Sequence, residues 1–112
     1  MEYCKTLNIN ESAKEIKEWR LAHGFYTPSS LKTVESKDMM LGKLMLVVTE
    51  VGEAAEAVRH GDEMNFIEEI ADTFIRLMDI TAAMKIDIDG EIRRKMAVNH
   101  NRPYKHGKLT TL

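Results

Sequence analysis

Apolar and polar positions alternate along this chain with the period of an α-helix. Met40, Leu44, Val47, Val48, Val51, Ala55 and Val58 recur at steps of three and four residues and form one stripe. The pattern predicts a helix beginning near Ser36 and ending at Gly61, where glycine accepts the left-handed backbone of a helix stop. Ile67, Ile70, Phe74, Leu77, Met78 and Thr81 form a second stripe, on a helix that Asp62 or Asn65 can cap. Ser12-Ala13-Lys14-Glu15 has the form of a capping box and predicts a first helix, which runs to about His23 and stops at Gly24. Asp87 or Asp89 can cap a fourth helix through Glu91, Ile92, Met96 and Val98. It must end near Arg102, because a residue before proline avoids the α region. The stretch from Phe25 to Glu35, with Pro28 and its serines, reads as a loop. No segment carries a convincing strand or hairpin signal. The predicted fold class is all-α and four-helix bundle-like, with helices two and three antiparallel across the short connection at Gly61.

The 112 residues suffice for one domain, 1–112, and not for two. A domain this small buries only part of its apolar surface, so assembly into a homodimer or homotetramer is expected. Residues 103–112 lack periodicity and are expected to form a flexible tail. The formal net charge of −2 points to neither a membrane nor a nucleic acid, and the short basic end is too poor in aromatics for nucleic-acid recognition. No apolar run is long enough to span a bilayer, and the first residues lack a secretory pattern. Cys4 is the only cysteine, so neither an intrachain disulfide nor a thiolate metal cage can form, which fits a reducing, cytoplasmic setting.

Charge is unevenly placed. From Glu50 to Asp79 acids dominate, with only Arg59 and Arg76 against them, whereas after Glu91 every charged side chain is basic. Within the acidic stretch, Glu50 and Glu53 are three residues apart on helix two, and Glu69 and Asp72 three apart on helix three. Each pair spans roughly 60° of helix surface. The two pairs hold equivalent positions relative to their apolar stripes, so two antiparallel helices can present four carboxylates to one cleft. Acid pairs at this spacing are common on solvated helix faces. Here Leu46, Ala54 and Ala57 lie on the same side as Glu50 and Glu53, which suits the wall of a pocket or interface better. Like charges brought together call for a cation, and oxygen-only ligands select a hard one: magnesium, with manganese as a substitute. No histidine stands three residues after a glutamate, which argues against a di-iron carboxylate bundle. No P-loop pattern occurs.

Leu46-Val47-Val48-Thr49-Glu50-Val51-Gly52-Glu53-Ala54-Ala55-Glu56-Ala57, followed by Phe66-Ile67-Glu68-Glu69-Ile70-Ala71-Asp72, resembles the E-x-x-E … E-x-x-D signature of all-α nucleotide pyrophosphohydrolases. The MazG-like branch is the nearest. Lys95-Met96-Ala97-Val98-Asn99-His100-Asn101-Arg102-Pro103 resembles its K-x-x-x-N-x-x-R-P segment, and Gly24-Phe25 after Trp19 resembles its first helix and loop. The resemblance implies magnesium-dependent hydrolysis of a nucleoside triphosphate between the α and β phosphates, giving monophosphate and pyrophosphate, in house-cleaning or pool control. It implies Glu50, Glu53, Glu69 and Asp72 as metal ligands, with Glu53 also the candidate proton acceptor. Lys95, Asn99 and Arg102 would contact phosphate oxygens. Trp19, His23 and Phe25 are candidates for base binding, although a tryptophan in an amphipathic helix is expected to pack into the core.

Two rival readings remain at this level. Phosphoribosyl-ATP pyrophosphohydrolases share the carboxylate signature, but the first helix with Trp19 and the Arg102-Pro103 ending fit the MazG-like branch better. A non-catalytic helical oligomerisation or regulatory module would keep the carboxylates for structure alone.

Overall fold

The computed structural model describes residues 8–102. They form four helices, α1 (Ile9–Ala22), α2 (Val34–Arg59), α3 (Glu63–Ala83) and α4 (Ile88–His100), and no strand. The predicted tail beyond Arg102, and Cys4, lie outside the described residues. None of the described helices is long and apolar enough to cross a membrane. Helix α3 is central, packing along both α1 and α2, while α4 rests mainly on α1.

The turns follow from backbone chemistry. Gly24 and Gly61 end α1 and α2 at φ 86° and 65°, and there the Phe25 and Asp62 amides donate back to the Arg20 and Ala57 carbonyls at 2.9 Å. Helix α3 stops by the same device with Lys85 in the left-handed position. Helix α2 begins two residues before the predicted Ser36: Thr33 is its cap, and Ser36 closes a capping box with it. Asp62 and Asp87 cap α3 and α4, each accepting from the amide three residues on.

The capping box expected at Ser12 does not form. Helix α1 starts earlier, at Ile9, and Ser12 sits inside it with its amide already bonded to the Asn8 carbonyl. The α1 N-terminus is instead capped from the far end of the chain. Asp89 accepts from the Ile9 and Asn10 amides at 2.9 and 3.4 Å. In return the Asn10 side-chain oxygen accepts from the Ile88 and Asp89 amides, and its nitrogen donates to Asp87. Two helix starts thus clasp each other, and each satisfies amides that the other helix cannot. Hydrogen bonds from Asn10 and from the Gly90 amide hold the Asp87 carboxyl below its ordinary range.

Apart from Met40, no residue of the apolar stripes read from the sequence is buried. On α2 the buried residues are Met40, Glu50, Ala54 and Ala57, while Leu44, Val48, Val51 and Val58 face outward. On α3 the buried residues are Glu69, Asp79 and Ala83, and Ile67, Ile70, Phe74 and Leu77 are exposed. Four alanines and Met40 are the only buried apolar side chains of the helices, too little for a core of the usual kind. The stripes are genuine; they are turned away from this chain's own interior.

Asp89→Ala is expected to lower stability by about 1–2 kcal/mol through loss of the α1 cap, and Ser12→Ala to change it by less than about 0.5 kcal/mol. Urea denaturation of the two variants checks this, and the opposite order would restore the cap to Ser12.

Candidate metal centre

One ion pair between α2 and α3 has the Arg76 Nε donating to the Glu50 Oε2 at 3.2 Å. Ala54 and Ala57 are buried on α2 together with Glu50. Across the α2–α3 contact, Glu50, Glu69 and Asp72 each bring a carboxylate oxygen within 4.8 Å of the others. Glu50 and Glu69 are 9 % and 8 % exposed, and Asp72 is half-buried. The fourth predicted ligand, Glu53, is exposed and stands outside that trio, but its carboxyl is in hydrogen-bonding contact with Glu69.

Such an arrangement is electrostatically costly. The hydrogen-bonding contact with Glu53, then burial, then the charges of Glu53, Glu50 and Asp72 push the Glu69 carboxyl up from 4.5 to about 7. The Glu69 Oε2 is buried and has no hydrogen-bond partner among the described residues. A buried oxygen without a donor is uncommon in a folded protein. Here it points into a group of oxygen donors, which is the chemistry of a hard divalent cation such as magnesium or manganese. The residues fit that group: they supply oxygen alone and lack a charge of opposite sign beyond Arg76.

The other predicted site residues are placed less closely. Lys95 and Asn99 lie on α4 and Arg102 just after it. That helix is anchored on α1, not on the two helices that carry the carboxylates. Trp19 is not a core residue: it is 59 % exposed, and its ring stacks on His23 with centroids 4.0 Å apart. Its neighbours on α1 explain this, since Ala13 takes the buried position and Arg20 the contact with α3. Phe25 is half-exposed beneath the Arg20 guanidinium, 4.6 Å from ring centre to Cζ. His60 and His100 are exposed.

Two interactions were not anticipated from the sequence. Arg76 was counted only as one of two stray cations in an acidic stretch, yet it clamps Glu50. It is the sole basic residue of α3, four residues after Asp72 and seven after Glu69, so its shared face was legible. Asp79 is 4 % exposed and accepts from the Arg20 Nε at 2.9 Å and from the Thr27 hydroxyl. Together with the buried Pro28, this contact ties the loop after α1 to α3. It links residues 52 and 59 positions apart, beyond the reach of helical periodicity.

The family model described as the MazG nucleotide pyrophosphohydrolase domain matches residues 41–104. The match takes in all four carboxylates and the Lys95–Arg102 segment. No curated protein and no solved structure matches the chain.

The raised Glu69 carboxyl has a testable sign. Its folded value lies above its unfolded value, so between pH 4.5 and about 7 the folded state binds more protons. The stability contribution of this group is therefore greatest below pH 4.5 and falls as the pH rises through about 7. Holding a cation requires the same proton to leave, so magnesium is expected to bind more tightly across that rise and to release protons. Melting curves in chelator should show wild type losing stability toward pH 8 relative to Glu69→Gln; parallel curves for the two would contradict the raised value.

Proposed function

Because the chain belongs to the MazG nucleotide pyrophosphohydrolase family, we propose that it hydrolyses (deoxy)nucleoside triphosphates to monophosphate and pyrophosphate, with magnesium held by Glu50, Glu53, Glu69 and Asp72. Members of the family are hydrolases acting on phosphoanhydrides. The observation that carries the proposal is the inward-facing trio of Glu50, Glu69 and Asp72, with its unpartnered Glu69 oxygen. A solvated helix face would not turn like charges toward one another.

Magnesium bound there would supply charge neutralisation on the phosphates and activation of the attacking water. The protein's own residues do the remaining work. Glu50 is oriented by Arg76 and cannot swing freely, so its ligand oxygen is preplaced. Glu69 and Asp72 approach it from α3. Glu53 is exposed at the rim while touching Glu69, which suits a group that takes a proton from water and passes it to solvent. Lys95, Asn99 and Arg102 would bind phosphate oxygens. Trp19 and His23 present a stacked aromatic surface to solvent on α1, suited to a nucleobase, and Phe25 lies beside the Arg20 guanidinium.

A homodimer or homotetramer completes this reading. The outward stripes of α2 and α3 form apolar surface that single soluble chains rarely leave open. Covering it with a second copy would supply the core that the single chain lacks. It would also give α4, which hangs from α1, a neighbour against which its cationic end can rest.

A panel of nucleoside triphosphates with magnesium, read by pyrophosphate release, tests the activity, with phosphoribosyl-ATP as the contrasting substrate. Glu53→Gln is expected to reduce turnover by about 100-fold or more with little change in melting temperature, because the side chain is exposed. Retained turnover in that variant would remove Glu53 from the chemistry. Sedimentation velocity is expected to show a dimer or tetramer, and a stable monomer at micromolar concentration would contradict the assembly.

A further inference from the structure

Next to the carboxylate trio, on the same α2–α3 interface, lies a second cluster of opposite sign. Lys43 is on α2, seven residues before Glu50, and so on the same face two turns away, about 10 Å along the axis. Its surroundings on the neighbouring helices are Arg20 of α1 with Arg76 and Asp79 of α3. With the Glu50 carboxylate that Arg76 holds, three cations and two carboxylates gather there.

Each of the others is already engaged. Asp79 is taken by Arg20 and Thr27. Arg20 is fixed further by the Phe25 ring, and Arg76 is committed to Glu50. Lys43 alone makes no hydrogen bond or ion pair among the described residues, although it is half-buried. Burial, then the Arg20 charge, opposed by Asp79, and then the Arg76 charge leave its ammonium below the usual lysine range. A half-buried ammonium without a carboxylate partner weakens the fold it sits in. Such a group is relieved by an anion, and the metal centre lies one Arg76 away.

Resting on the nucleotide-hydrolysis reading above, we propose that Lys43 binds the terminal phosphate of the bound triphosphate and stays with the pyrophosphate when it leaves. The trio of carboxylates and its cation take the scissile end of the chain. Arg76 stands between the two clusters, clamped to Glu50. Lys43 then meets the far end, where its ammonium is the charge left over once Arg20 is paired with Asp79 and Arg76 with Glu50. A lysine serves this purpose as a compact point charge on a flexible stem, which follows the phosphate as it moves from substrate to product.

The test compares wild type, Lys43→Met, Lys43→Gln and Lys43→Arg as full-length proteins, with inorganic pyrophosphate plus magnesium as the probe. Without ligand, Lys43→Met and Lys43→Gln are expected to melt at or above the wild-type temperature, because a repelled charge is gone. Their thermal shift with magnesium alone should persist. Their affinity for magnesium pyrophosphate should fall about tenfold or more, with a matching loss in kcat/KM for the preferred triphosphate. Lys43→Arg should recover most of both. Ligand-free melting below wild type with unchanged pyrophosphate affinity would make Lys43 structural and overturn the assignment. Full hydrolysis by wild type and by Lys43→Met alike would overturn the assignment of Lys43 and leave the hydrolysis reading standing. A wild type that releases pyrophosphate from no triphosphate would overturn that reading and this proposal with it.

Discussion

Glu50, Glu69 and Asp72 set negative charge against negative charge on the inner side of the α2–α3 pair, with ligand oxygens within 4.8 Å of one another. Repulsion there is weakly screened, because solvent is largely excluded. Arg76 offsets one of the charges by pairing with Glu50, and the Glu69 carboxyl, pushed up to about 7 by its contact with Glu53, by burial and by the neighbouring acids, holds its proton more readily than an ordinary glutamate. Both are partial remedies, and neither gives the buried Glu69 oxygen a partner. A hard divalent cation bound there would satisfy all of these demands at once. Around the trio, the Arg76 guanidinium holds Glu50 and the small buried Ala54 and Ala57 share its helix face.

Orienting the acids inward has a consequence for the rest of the surface. A helix presents one face to a given neighbour, so once the Glu50–Ala54–Ala57 face meets α3, the aliphatic stripe of α2 must look elsewhere. The same holds for Ile67, Ile70, Phe74 and Leu77 on α3. The inward acids and the outward apolar stripes are thereby two results of one orientation of the helices about their axes. The clasp between Asn10 and Asp89 acts at the opposite end of the structure. It fixes where α4 begins, and hence where the segment with Lys95, Asn99 and Arg102 starts out from.

Much of this was legible in the chain. Helical periodicity located all four helices, the glycines at 24 and 61 marked two of their ends, and the three-residue spacing of the acids placed two pairs on facing helices. What periodicity does not carry is the identity of the partner that an apolar face meets. Burial within one chain is the commonest use of such a face. Here the acidic flank is the inner one. Local signals also lost to distant ones at α1: Ser12 has the residues of a cap, but Asp89, some eighty positions on, holds the amides. Trp19 was likewise assigned by residue type to an interior that its helix gives to Ala13. Contacts such as Arg20–Asp79–Thr27 leave no periodic trace, since they depend on where α1 and its loop come to rest on α3.

The claim on which everything else depends is that one hard cation binds between Glu50, Glu69 and Asp72. A crystal of the full chain soaked in manganese, with anomalous scattering recorded at the manganese edge, addresses it directly. The expected result is a peak at bonding distance from carboxylate oxygens of all three residues, with the Glu69 Oε2 among them. Strong manganese peaks at other surface acids, with that position empty and the three side chains turned apart, would contradict it.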